Sequence, residues 1–501
     1  MDNNVSPTMK IIIHLIVVII GISLCSCSSG SPPGIQTSEN PPPPRPVPAG
    51  YHALIDSILG DSLLSPCFVG VKIVSLDDGK VLYEQNGNKL FHPASNMKIL
   101  TSATGLKTLG KDFKFETKVT SVKPARKGIL GGDLYIKGSG DPLIRTEDVD
   151  SIAATISNSG IRRIKGDIVG DVSYFDSVAW GSGWMWDDEP EADEAFISPL
   201  TINDNAISVM VQPGTATGKP VHVELNPSTK YMRVINSGVT SLDTLVPPLS
   251  VTRHRGENTI LVQGRISPHS PGQEFSLSMV QPELYFLTLL KESLTGHGIT
   301  VDGTTRLDSA RGTITLATLS HSLDSTLHQI NKPSDNIAAE NLLKTVAAER
   351  RGSPGATLNG LYVMKEFMKS LGIDTTAMIL ADGSGVSFYN LVSPGTILRL
   401  LQYEYADKQS FSHFYESLPV GGVDGTLKNR MKGTRAEGNV HAKTGTITGV
   451  SALSGYVTTL DGKSVAFSIL INHFPSKLRE LRDVQDRIVE ILANTRLGPD
   501  R

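Results

Sequence analysis

A serine and a lysine three residues apart, Ser95 and Lys98, are the residues of this chain best placed for nucleophilic chemistry. The small and apolar residues at 100–106 predict a helix, and side chains three positions apart lie on one face of a helix. A serine hydroxyl needs a base within hydrogen-bond distance before it attacks a carbonyl. A lysine can be that base when burial, a second cation or a helix dipole lowers its pKa. Pro93 favours a helix start here, where backbone amides could also stabilise an oxyanion.

Two later stretches carry hydroxyl, amide and amine side chains that could join the same chemistry. Ser334 and Asn336 form a Ser-x-Asn sequence that opens an apolar helical pattern. A Lys-Thr-Gly sequence at 443–445 precedes residues 450–457, which predict a strand. Each stretch is common by chance and has a structural interpretation: a solvated helix surface, a helix N-cap or first-turn residue, or a strand end and turn. All three in this order, each on a suitable element, favour one catalytic site.

Length and composition limit the class of protein. At 501 residues the chain exceeds one ordinary compact core, which predicts two or three domains. A net charge of −3 without a basic run argues against nucleic-acid binding. The 47 glycines and 29 prolines predict a loop-rich α/β or α+β protein. None of the 12 histidines stands in an HExxH-type pattern, and serine chemistry needs no metal or other cofactor.

Residues 1–27 are typical of an export signal. Lys10 precedes an apolar run at 11–24 that is short for a membrane span and suits a signal peptide. Cys27 follows a small residue and resembles the modified cysteine of a bacterial lipobox, with plain cleavage and an uncleaved anchor as alternatives. Residues 28–50 are rich in Ser and Pro and predict a tether. We therefore expect an exported protein of the periplasm or cell envelope, attached to the membrane through a lipid on Cys27.

The distance along the chain between the first two motifs predicts an insertion. Ser95 and Ser334 are separated by far more residues than one connection in a compact domain needs. That segment has its own strand patterns and a helix pattern at 282–294. The sequence therefore predicts a catalytic domain made of residues 51–112 and 319–501, with one inserted β-rich domain, or two nested domains, at 113–318.

These stretches resemble those of a known family. The order Ser-x-x-Lys, Ser-x-Asn, Lys-Thr-Gly is the motif set of penicillin-binding proteins and serine β-lactamases. From Tyr51 onward the chain resembles the low-molecular-mass class C penicillin-binding proteins, which are the D-Ala-D-Ala carboxypeptidases/endopeptidases of peptidase family S13. The lipobox departs from the simpler signal peptide that is usual in that family. The stretches that carry the resemblance are 95–98, 132–142, 331–336, 382–385, 390–394, 422–427 and 442–446.

The resemblance implies a fold and a reaction. The fold is of the α/β (α+β) class, with a β-lactamase/transpeptidase-like domain whose antiparallel sheet is flanked by helices and whose site lies at the sheet edge. Ser95 attacks the carbonyl between two D-alanines of a peptidoglycan stem peptide, and Lys98 accepts its proton. Ser334, poised by Lys443, relays a proton to the departing D-alanine. Asn336 hydrogen-bonds both Lys98 and the substrate amide. Penicillins and other β-lactams would acylate the same serine and act as covalent inhibitors.

The Lys-Thr-Gly strand is expected to hold the substrate. Lys443 places positive charge near the terminal carboxylate and keeps Lys98 neutral by repulsion. The hydroxyls of Thr444 and Thr446 hold that carboxylate, and Gly445 leaves room for a substrate strand beside the sheet edge. The backbone amides of Ser95 and Thr446 are the candidate oxyanion donors.

Other functions fit the sequence less well. A serine β-lactamase of class A has a glutamate on a loop soon after Ser-x-Asn, and no such stretch stands out here. A catalytically inactive peptidoglycan-binding lipoprotein would not need three complete motifs. An α/β-hydrolase esterase would need a Gly-x-Ser-x-Gly elbow, which the sequence lacks.

Several further residues are expected to have structural roles. We expect packing roles for the three tryptophans of an acidic, glycine-containing loop and turn roles for three aspartates. We expect two charged residues near the Ser-x-Asn motif to be solvated or ion-paired. These residues are Trp180, Trp184 and Trp186, then Asp141, Asp382 and Asp424, then Lys332 and Glu340.

Overall fold

The computed structural model describes residues 50–498, which form α-helices and β-strands. The helices are α1 (Tyr51–Leu59), α2 (Met97–Leu109), α3 (Thr146–Asn158), α4 (Pro282–Gly296), α5 (Leu323–Asn331), α6 (Asn336–Arg351), α7 (Thr357–Ser370), α8 (Pro394–Ala406), α9 (Phe411–Ser417) and α10 (Leu478–Asn494). The strands are β1 (Phe68–Ser75), β2 (Val81–Gln85), β3 (Lys114–Ser121), β4 (Ile129–Leu130), β5 (Leu134–Lys137), β6 (Arg163–Ile164), β7 (Ile168–Asp171), β8 (Ala206–Gln212), β9 (His222–Asn226), β10 (Arg233–Asn236), β11 (Val239–Thr240), β12 (Ser250–Arg253), β13 (Thr259–Gln263), β14 (Arg265–Ile266), β15 (Gln273–Ser278), β16 (Thr300–Val301), β17 (Thr305–Leu307), β18 (Ile314–Ser322), β19 (His441–Ile447), β20 (Val450–Thr458) and β21 (Ser464–Asn472).

A five-stranded antiparallel sheet is built from the two ends of the described chain. Its strand order is β19-β20-β21-β1-β2, so the Lys-Thr-Gly strand β19 lies at one edge. Alternate residues of β20 and β21 belong to different cores, because successive side chains of a strand point to opposite faces. Ala452 and Leu470 pack in a core with α2 and α6, whereas Leu453 and Ile469 pack in a core with α1 and α10. The sheet is therefore covered by helices on both faces.

Helix α2 is enclosed in the core between the sheet and α6. Residues 97–106 are all buried, which explains the small and apolar composition of this stretch. Gly105 permits the close approach of α6, since a Cβ atom at this position would lie 2.9 Å from Cδ2 of Leu342. The helix that follows Ser95 is thus held by packing contacts on all sides, which fixes the position of the expected nucleophile.

The insertion has a second core of its own. Its largest sheet has the order β17-β7-β5-β3-β18, in which β5, β7 and β17 are parallel and β3 pairs antiparallel with both of its neighbours. Three smaller sheets formed by β8–β15 lie between α3 and α4 in the chain. Their buried residues join the same hydrophobic cluster as those of α3 and α4. The nested segment therefore packs on the core of the insertion.

The chain enters and leaves the insertion at adjacent points. Lys114 of β3 lies opposite Ser322 of β18, and α5 begins at the next residue, Leu323. The predicted boundary at 318 lies inside β18, because the sequence does not reveal how far the two strands remain paired. We infer that the inserted part extends to Ser322.

The predicted fold class is confirmed, and most element predictions agree with the structure. Helix α1 ends at Leu59, and a separate 3-10 turn follows at Ser62–Leu64. Residues 1–49, which include the predicted export signal, Cys27 and nearly all of the predicted tether, lie outside the described residues. Among residues 50–498, no helix has both the length and the apolar character required to cross a membrane.

Candidate active site

Ser95 and Lys98 meet at the start of α2, as their spacing predicts. Ser95 lies in a 3-10 turn, Ala94–Asn96, that leads directly into the helix. The Lys98 amine is fully buried and lies 3.1 Å from the Ser95 hydroxyl oxygen. The hydroxyl and its candidate base are therefore already within hydrogen-bond distance.

The other partners of the Lys98 amine suit its role as a base. The amine lies 2.5 Å from Oδ1 of Asn336 and 2.8 Å from the backbone carbonyl oxygen of Ser384. A neutral amine has two N–H donors and one lone pair. With both donors directed to these two oxygens, the lone pair points to the Ser95 hydroxyl and can accept its proton.

The second lysine holds the second serine. Lys443 of β19 donates to the Ser334 hydroxyl oxygen over 2.8 Å and to the backbone carbonyl oxygen of Thr444 over 3.1 Å. Ser334 has a φ of +74°, which non-glycine residues rarely adopt. It is not the N-cap of α6, because Asp335 has that role and accepts from the Ala338 amide. The alternative interpretation of Ser334 as a cap is therefore wrong.

Burial sets the protonation of both lysines. It lowers the pKa of Lys98 to about 8, although nearby carboxylates attract the proton and oppose this shift. Those carboxylates belong to Asp382, Asp335, Glu340 and Asp193. Burial also lowers the pKa of Lys443 well below its usual value, and repulsion from Lys98 adds to that effect. Of the causes that we expected to lower the pKa of Lys98, which included burial and repulsion from Lys443, the structure assigns the shift to burial.

Strand β19 lies close to the nucleophile turn. The Asn96 side chain donates to the backbone carbonyl oxygen of Lys443 over 3.0 Å. A Cβ atom at Gly445 would lie 2.8 Å from the Pro93 carbonyl oxygen and 3.1 Å from the Ser95 amide nitrogen. The glycine therefore allows the strand to approach the turn, a different reason for it from the substrate space that we expected.

The two threonines of the motif have partners that the sequence did not suggest. The Thr444 hydroxyl donates to the Thr426 hydroxyl over 2.7 Å. The Thr446 hydroxyl accepts from Nη2 of Arg482 on α10 over 3.1 Å. A cation thus stands beside the threonine that is expected to hold a carboxylate.

One cleft of about 390 Å³ joins the motifs. Six of the predicted site residues line it, and the buried amines of Lys98 and Lys443 bond to residues of its wall. The six lining residues are Ser95, Ser334, Asn336, Thr444, Gly445 and Thr446. The structure therefore brings together all of the predicted catalytic and substrate-binding residues.

The insertion contributes one wall of this cleft, which the sequence analysis missed. Asp193 and Glu194 line it, and the Asn336 side chain donates to the Asp193 backbone carbonyl oxygen over 2.7 Å. Burial and neighbouring carboxylates raise the pKa of Glu194 to about 7. The acidic stretch after the tryptophans was the only local indication of this role. No feature of the sequence indicated that Arg482 would lie at the cleft. The apolar face of a terminal helix shows that the helix packs on the protein, but not which strand its polar residues contact.

A loop at 382–390, whose residues 382–387 are buried, supports Lys98 from behind. Asp382 accepts from the Gly385 and Ser387 amides and from the Asn390 side chain over 2.6–2.9 Å. Glu340 accepts from the Gly383 and Ser384 amides, each over 2.8 Å. The loop thereby presents the Ser384 carbonyl to Lys98. These contacts agree with the structural role expected for Asp382.

The expectation that Glu340 is solvated or ion-paired is wrong. Its side chain is fully buried and bonds to backbone amides, while burial and Asp382 raise its pKa to about 7. Lys332 is ion-paired as expected, at 2.7 Å from Asp424. The carboxyl of Asp141 bonds the Leu143 amide and lies 2.8 Å from His321, which agrees with a structural role in a turn.

Two of the three tryptophans pack under the cleft. The Trp184 indole is buried and donates to Oδ2 of Asp382 over 3.0 Å, and Trp180 packs edge-on against it at 5.2 Å between ring centroids. Trp186 is 73% exposed, with the guanidinium of Arg255 4.2 Å from its ring centroid. The packing interpretation therefore fits Trp180 and Trp184 but not Trp186.

Replacing Asp382 by alanine should lower the free energy of unfolding by about 3 kcal/mol, because several buried donors lose their acceptor. It should also slow acylation, since the Ser384 carbonyl would lose its position. Urea unfolding measures the first effect. The control is Asp374→Ala, which removes an exposed cap of the Thr376 amide and should cost about 1 kcal/mol or less. Equal losses in the two variants would contradict the role assigned to Asp382.

The site and fold define a class of protein. A serine with a buried lysine as its base, a second serine–lysine pair and an edge strand beside the nucleophile make up the machinery of a serine acyltransferase. The antiparallel sheet with helices on both faces is the fold on which penicillin-binding proteins and serine β-lactamases carry this machinery.

Comparison with known sequences identifies the family. Residues 51–495 match the D-Ala-D-Ala carboxypeptidase 3 (S13) family. The chain is 37% identical over 435 residues to the D-alanyl-D-alanine carboxypeptidase of Actinomadura sp. (strain R39), and this alignment covers 83% of this chain and 80% of that protein. It is 28% identical over 433 residues to the D-alanyl-D-alanine carboxypeptidase DacB of Haemophilus influenzae, with coverage of 85% and 90%. The chain belongs to the D-Ala-D-Ala carboxypeptidase 3 (S13) family.

Solved structures agree with this assignment. The crystal structure of penicillin binding protein 4 from Haemophilus influenzae superposes with a TM-score of 0.79 and 26% identity, covering 88% of this chain and 99% of that one. The same protein complexed with a β-lactam superposes with a TM-score of 0.71 and 27% identity, covering 87% and 97%. The similarity therefore includes the insertion as well as the catalytic part.

Proposed function

We propose that this protein is a penicillin-sensitive serine D-Ala-D-Ala peptidase that acts on the stem peptides of peptidoglycan. The observation that carries this proposal is the Lys98 amine, which is buried, has a lowered pKa and lies 3.1 Å from the Ser95 hydroxyl. Family membership supplies the substrate class, since the curated relatives are D-alanyl-D-alanine carboxypeptidases.

Acylation begins at Ser95. The neutral Lys98 amine takes the hydroxyl proton while Ser95 attacks the carbonyl carbon of the penultimate D-alanine. The backbone amides of Ser95 and Thr446 are the proposed oxyanion donors, and one such donor is worth about 3 kcal/mol of transition-state stabilisation. Asn336 keeps Lys98 in place and binds the backbone amide of the substrate.

The leaving group receives its proton from Ser334. Because Lys443 donates to the Ser334 oxygen, the hydroxyl hydrogen of Ser334 is free to point into the cleft. It can therefore be transferred to the amine of the departing D-alanine as the C–N bond breaks. The terminal carboxylate lies at Thr444 and Thr446, where Arg482 adds positive charge. Water then attacks the ester and gives its proton to the Ser334 oxygen, while Lys98 returns its proton to the Ser95 oxygen as the ester bond breaks.

The reaction can be tested directly with peptidoglycan fragments. Incubation with a purified disaccharide pentapeptide, followed by mass spectrometry, should show loss of one D-alanine. With the chromogenic cephalosporin nitrocefin we expect a single burst of about one equivalent, since no group is assigned to rapid deacylation of β-lactams. Steady nitrocefin turnover without D-alanine release would instead favour a β-lactamase.

We also propose that the protein works outside the cytoplasm, where peptidoglycan lies, and that a lipid on Cys27 anchors it to the membrane. The support for the anchor is the lipobox-like sequence, which lies outside the described residues. Mass spectrometry of the mature N-terminus tests it. A Cys27→Ser variant that fractionates with membranes as fully as the parent protein would contradict the anchor.

A further inference from the structure

One segment of the insertion lies against helix α6, whose first residue is Asn336. This segment, residues 173–201, contains no strand and no α-helix, and we call it the strap. Its backbone pairs with Gly355, just beyond the other end of α6. The Gly355 amide donates to the Tyr174 carbonyl oxygen over 2.8 Å, and the Asp176 amide donates to the Gly355 carbonyl oxygen over 3.1 Å. The strap therefore crosses from the insertion onto the catalytic part of the protein.

Three side chains on one face of α6 contact the strap. Ile337, Asn341 and Lys344 are spaced by four and three residues, which places them on one side of a helix. All three are buried. Ile337 shares a hydrophobic cluster with Ile197 of the strap, and Asn341 donates to the Thr201 hydroxyl oxygen over 2.9 Å. The strap is therefore held at several heights along the helix.

The contact made by Lys344 is an ion pair enclosed in the protein. Lys344 is 1% exposed, and its amine lies 2.6 Å from Oδ1 of Asp176 and 2.5 Å from the Val178 carbonyl oxygen. An enclosed ion pair often stabilises a protein no more than apolar side chains of the same size would, so stability alone does not explain it. Both acceptors belong to the strap. Lys344 therefore fixes which residues of the strap lie beside α6.

The register of the strap matters because of one backbone carbonyl. The Asp193 carbonyl oxygen accepts from Nδ2 of Asn336 over 2.7 Å. A carbonyl oxygen can only accept, so the amide nitrogen of Asn336 must face it. Oδ1 of the same side chain is thereby turned towards the Lys98 amine, at 2.5 Å. The strap therefore decides which way the Asn336 amide points.

This orientation keeps the lone pair of Lys98 available. The neutral amine directs its two N–H donors to Oδ1 of Asn336 and to the Ser384 carbonyl oxygen, which leaves its lone pair for the Ser95 hydroxyl. If the Asn336 amide were reversed, its N–H groups would point at Lys98 and compete with Ser95 for that lone pair. The transfer of the Ser95 proton would then be slower, and so would the attack on the substrate.

We propose that the strap is a positioning element for acylation and that Lys344 is the positioning residue that holds it. By fixing the strap on α6, Lys344 keeps the Asp193 carbonyl where it orients Asn336. The inference rests on the proposed function and adds to it a role for the insertion. Lys344 lies about 12 Å along the helix from Asn336, at about 1.5 Å per residue, so it acts through the strap and not on the substrate.

The test replaces Lys344 by methionine, which retains the length of the side chain but cannot bond to Asp176 or to the Val178 carbonyl. The rate constant for acylation by a fluorescent penicillin should fall about tenfold, because a small displacement near the reacting groups costs that much or more. Hydrogen exchange of residues 173–201 should become faster in the same variant, since the strap has lost a contact.

A second background separates positioning from a general loss of structure. Asn336→Ala lacks the amide that the strap orients, and its acylation should already be slow. Adding Lys344→Met to it should change the acylation rate by less than about twofold, whereas the two changes should add in thermal unfolding. Tyr174→Phe is a milder variant that removes only a hydrogen bond of 2.8 Å between the strap and Glu349. It should slow acylation about threefold, again only where Asn336 is present.

The control for stability is Ile58→Ala. Ile58 lies on α1 in the core on the face of the sheet opposite α6, so this variant should unfold at a lower temperature and still acylate like the parent protein. Equal slowing in Ile58→Ala and Lys344→Met would assign the loss to stability and overturn the inference.

Two further results would also overturn it. One is acylation of Lys344→Met, or of Tyr174→Phe if the first variant does not fold, at the rate of the parent protein. The other is a tenfold loss that persists in the Asn336→Ala background, since Lys344 would then act on some other group. A parent protein that penicillin does not acylate would instead reject the proposed function itself.

Discussion

Replacing Ser95 by alanine should abolish covalent labelling by a fluorescent penicillin and lower kcat/KM for D-alanine release by at least about a thousandfold. The variant lacks the atom that forms the ester, and no neighbouring group can substitute for it. Ser334 is close, but its oxygen accepts from Lys443, whereas the Lys98 amine bonds the Ser95 hydroxyl. Gel fluorescence after penicillin labelling measures the first effect, and mass spectrometry of the released D-alanine measures the second.

The control for this variant is a serine outside the site. Ser57 is exposed on α1, so Ser57→Ala should label and hydrolyse like the parent protein. Thermal unfolding of Ser95→Ala should remain close to that of the parent, because Lys98 keeps its contacts with Asn336 and with the Ser384 carbonyl. Full labelling of a folded Ser95→Ala protein would show that another residue is the nucleophile.

Replacing Lys98 by methionine should slow acylation by about a thousandfold, within the range for removal of a general base. Methionine retains the length and burial of the side chain but has no lone pair on nitrogen. Stopped-flow measurement of penicillin acylation gives the rate. Lys107→Met is the matched control, since Lys107 lies on the same helix and is exposed. Acylation by Lys98→Met at the rate of the control would exclude Lys98 as the base.

The pH dependence tests the same assignment independently. The base must be neutral, and burial lowers the pKa of Lys98 to about 8. The acylation rate of the parent protein should therefore rise with pH, with a midpoint near 8, and fall about tenfold per unit well below it. Lys98→Met should lose this rise. An acylation rate of the parent protein that does not change between pH 6 and 9 would contradict the assignment of Lys98 as the base.

Glu340 offers a finer test of the electrostatics. Its carboxylate is one of the groups that attract the proton of Lys98 and so raise the Lys98 pKa. Glu340→Gln removes that charge and retains an oxygen that can accept from the Gly383 and Ser384 amides. The midpoint of the acylation profile should then move to lower pH. An unchanged midpoint would show that Glu340 is neutral in the parent protein, and a shift to higher pH would show that it acts on Lys98 in another way.

The parts of the site that lie close together in sequence could be predicted from it. Ser95 and Lys98 are three residues apart on one short stretch, so helical geometry alone brings them within reach. Residues 450–457 and 464–471 predict strands because their apolar character persists over a strand length, and both strands are buried on both faces. The helix and the strands could be predicted because they depend on residues that are neighbours in the sequence. The insertion could be predicted from the number of residues between the first two motifs.

The contacts between distant segments could be expected only through the order of the motifs. Lys443 meets Ser334 across 109 residues, and the Ser384 carbonyl meets Lys98 across 286. The family resemblance associated the motifs, but the sequence left burial, a second cation and a helix dipole open as causes of a lowered pKa for Lys98. Burial is a property of the packed core, which no spacing along the chain reveals.

The sequence by itself determined the chemistry of this protein, because two serines, two lysines and an asparagine in three ordered motifs admit few reactions. The tertiary structure decided what surrounds that chemistry. It placed Asp193 of the insertion at 2.7 Å from Asn336 and Arg482 of the last helix at 3.1 Å from Thr446. Walls, charge around a cleft and the pKa of a buried amine depend on which segments fold against one another, and that arrangement is set by the whole chain.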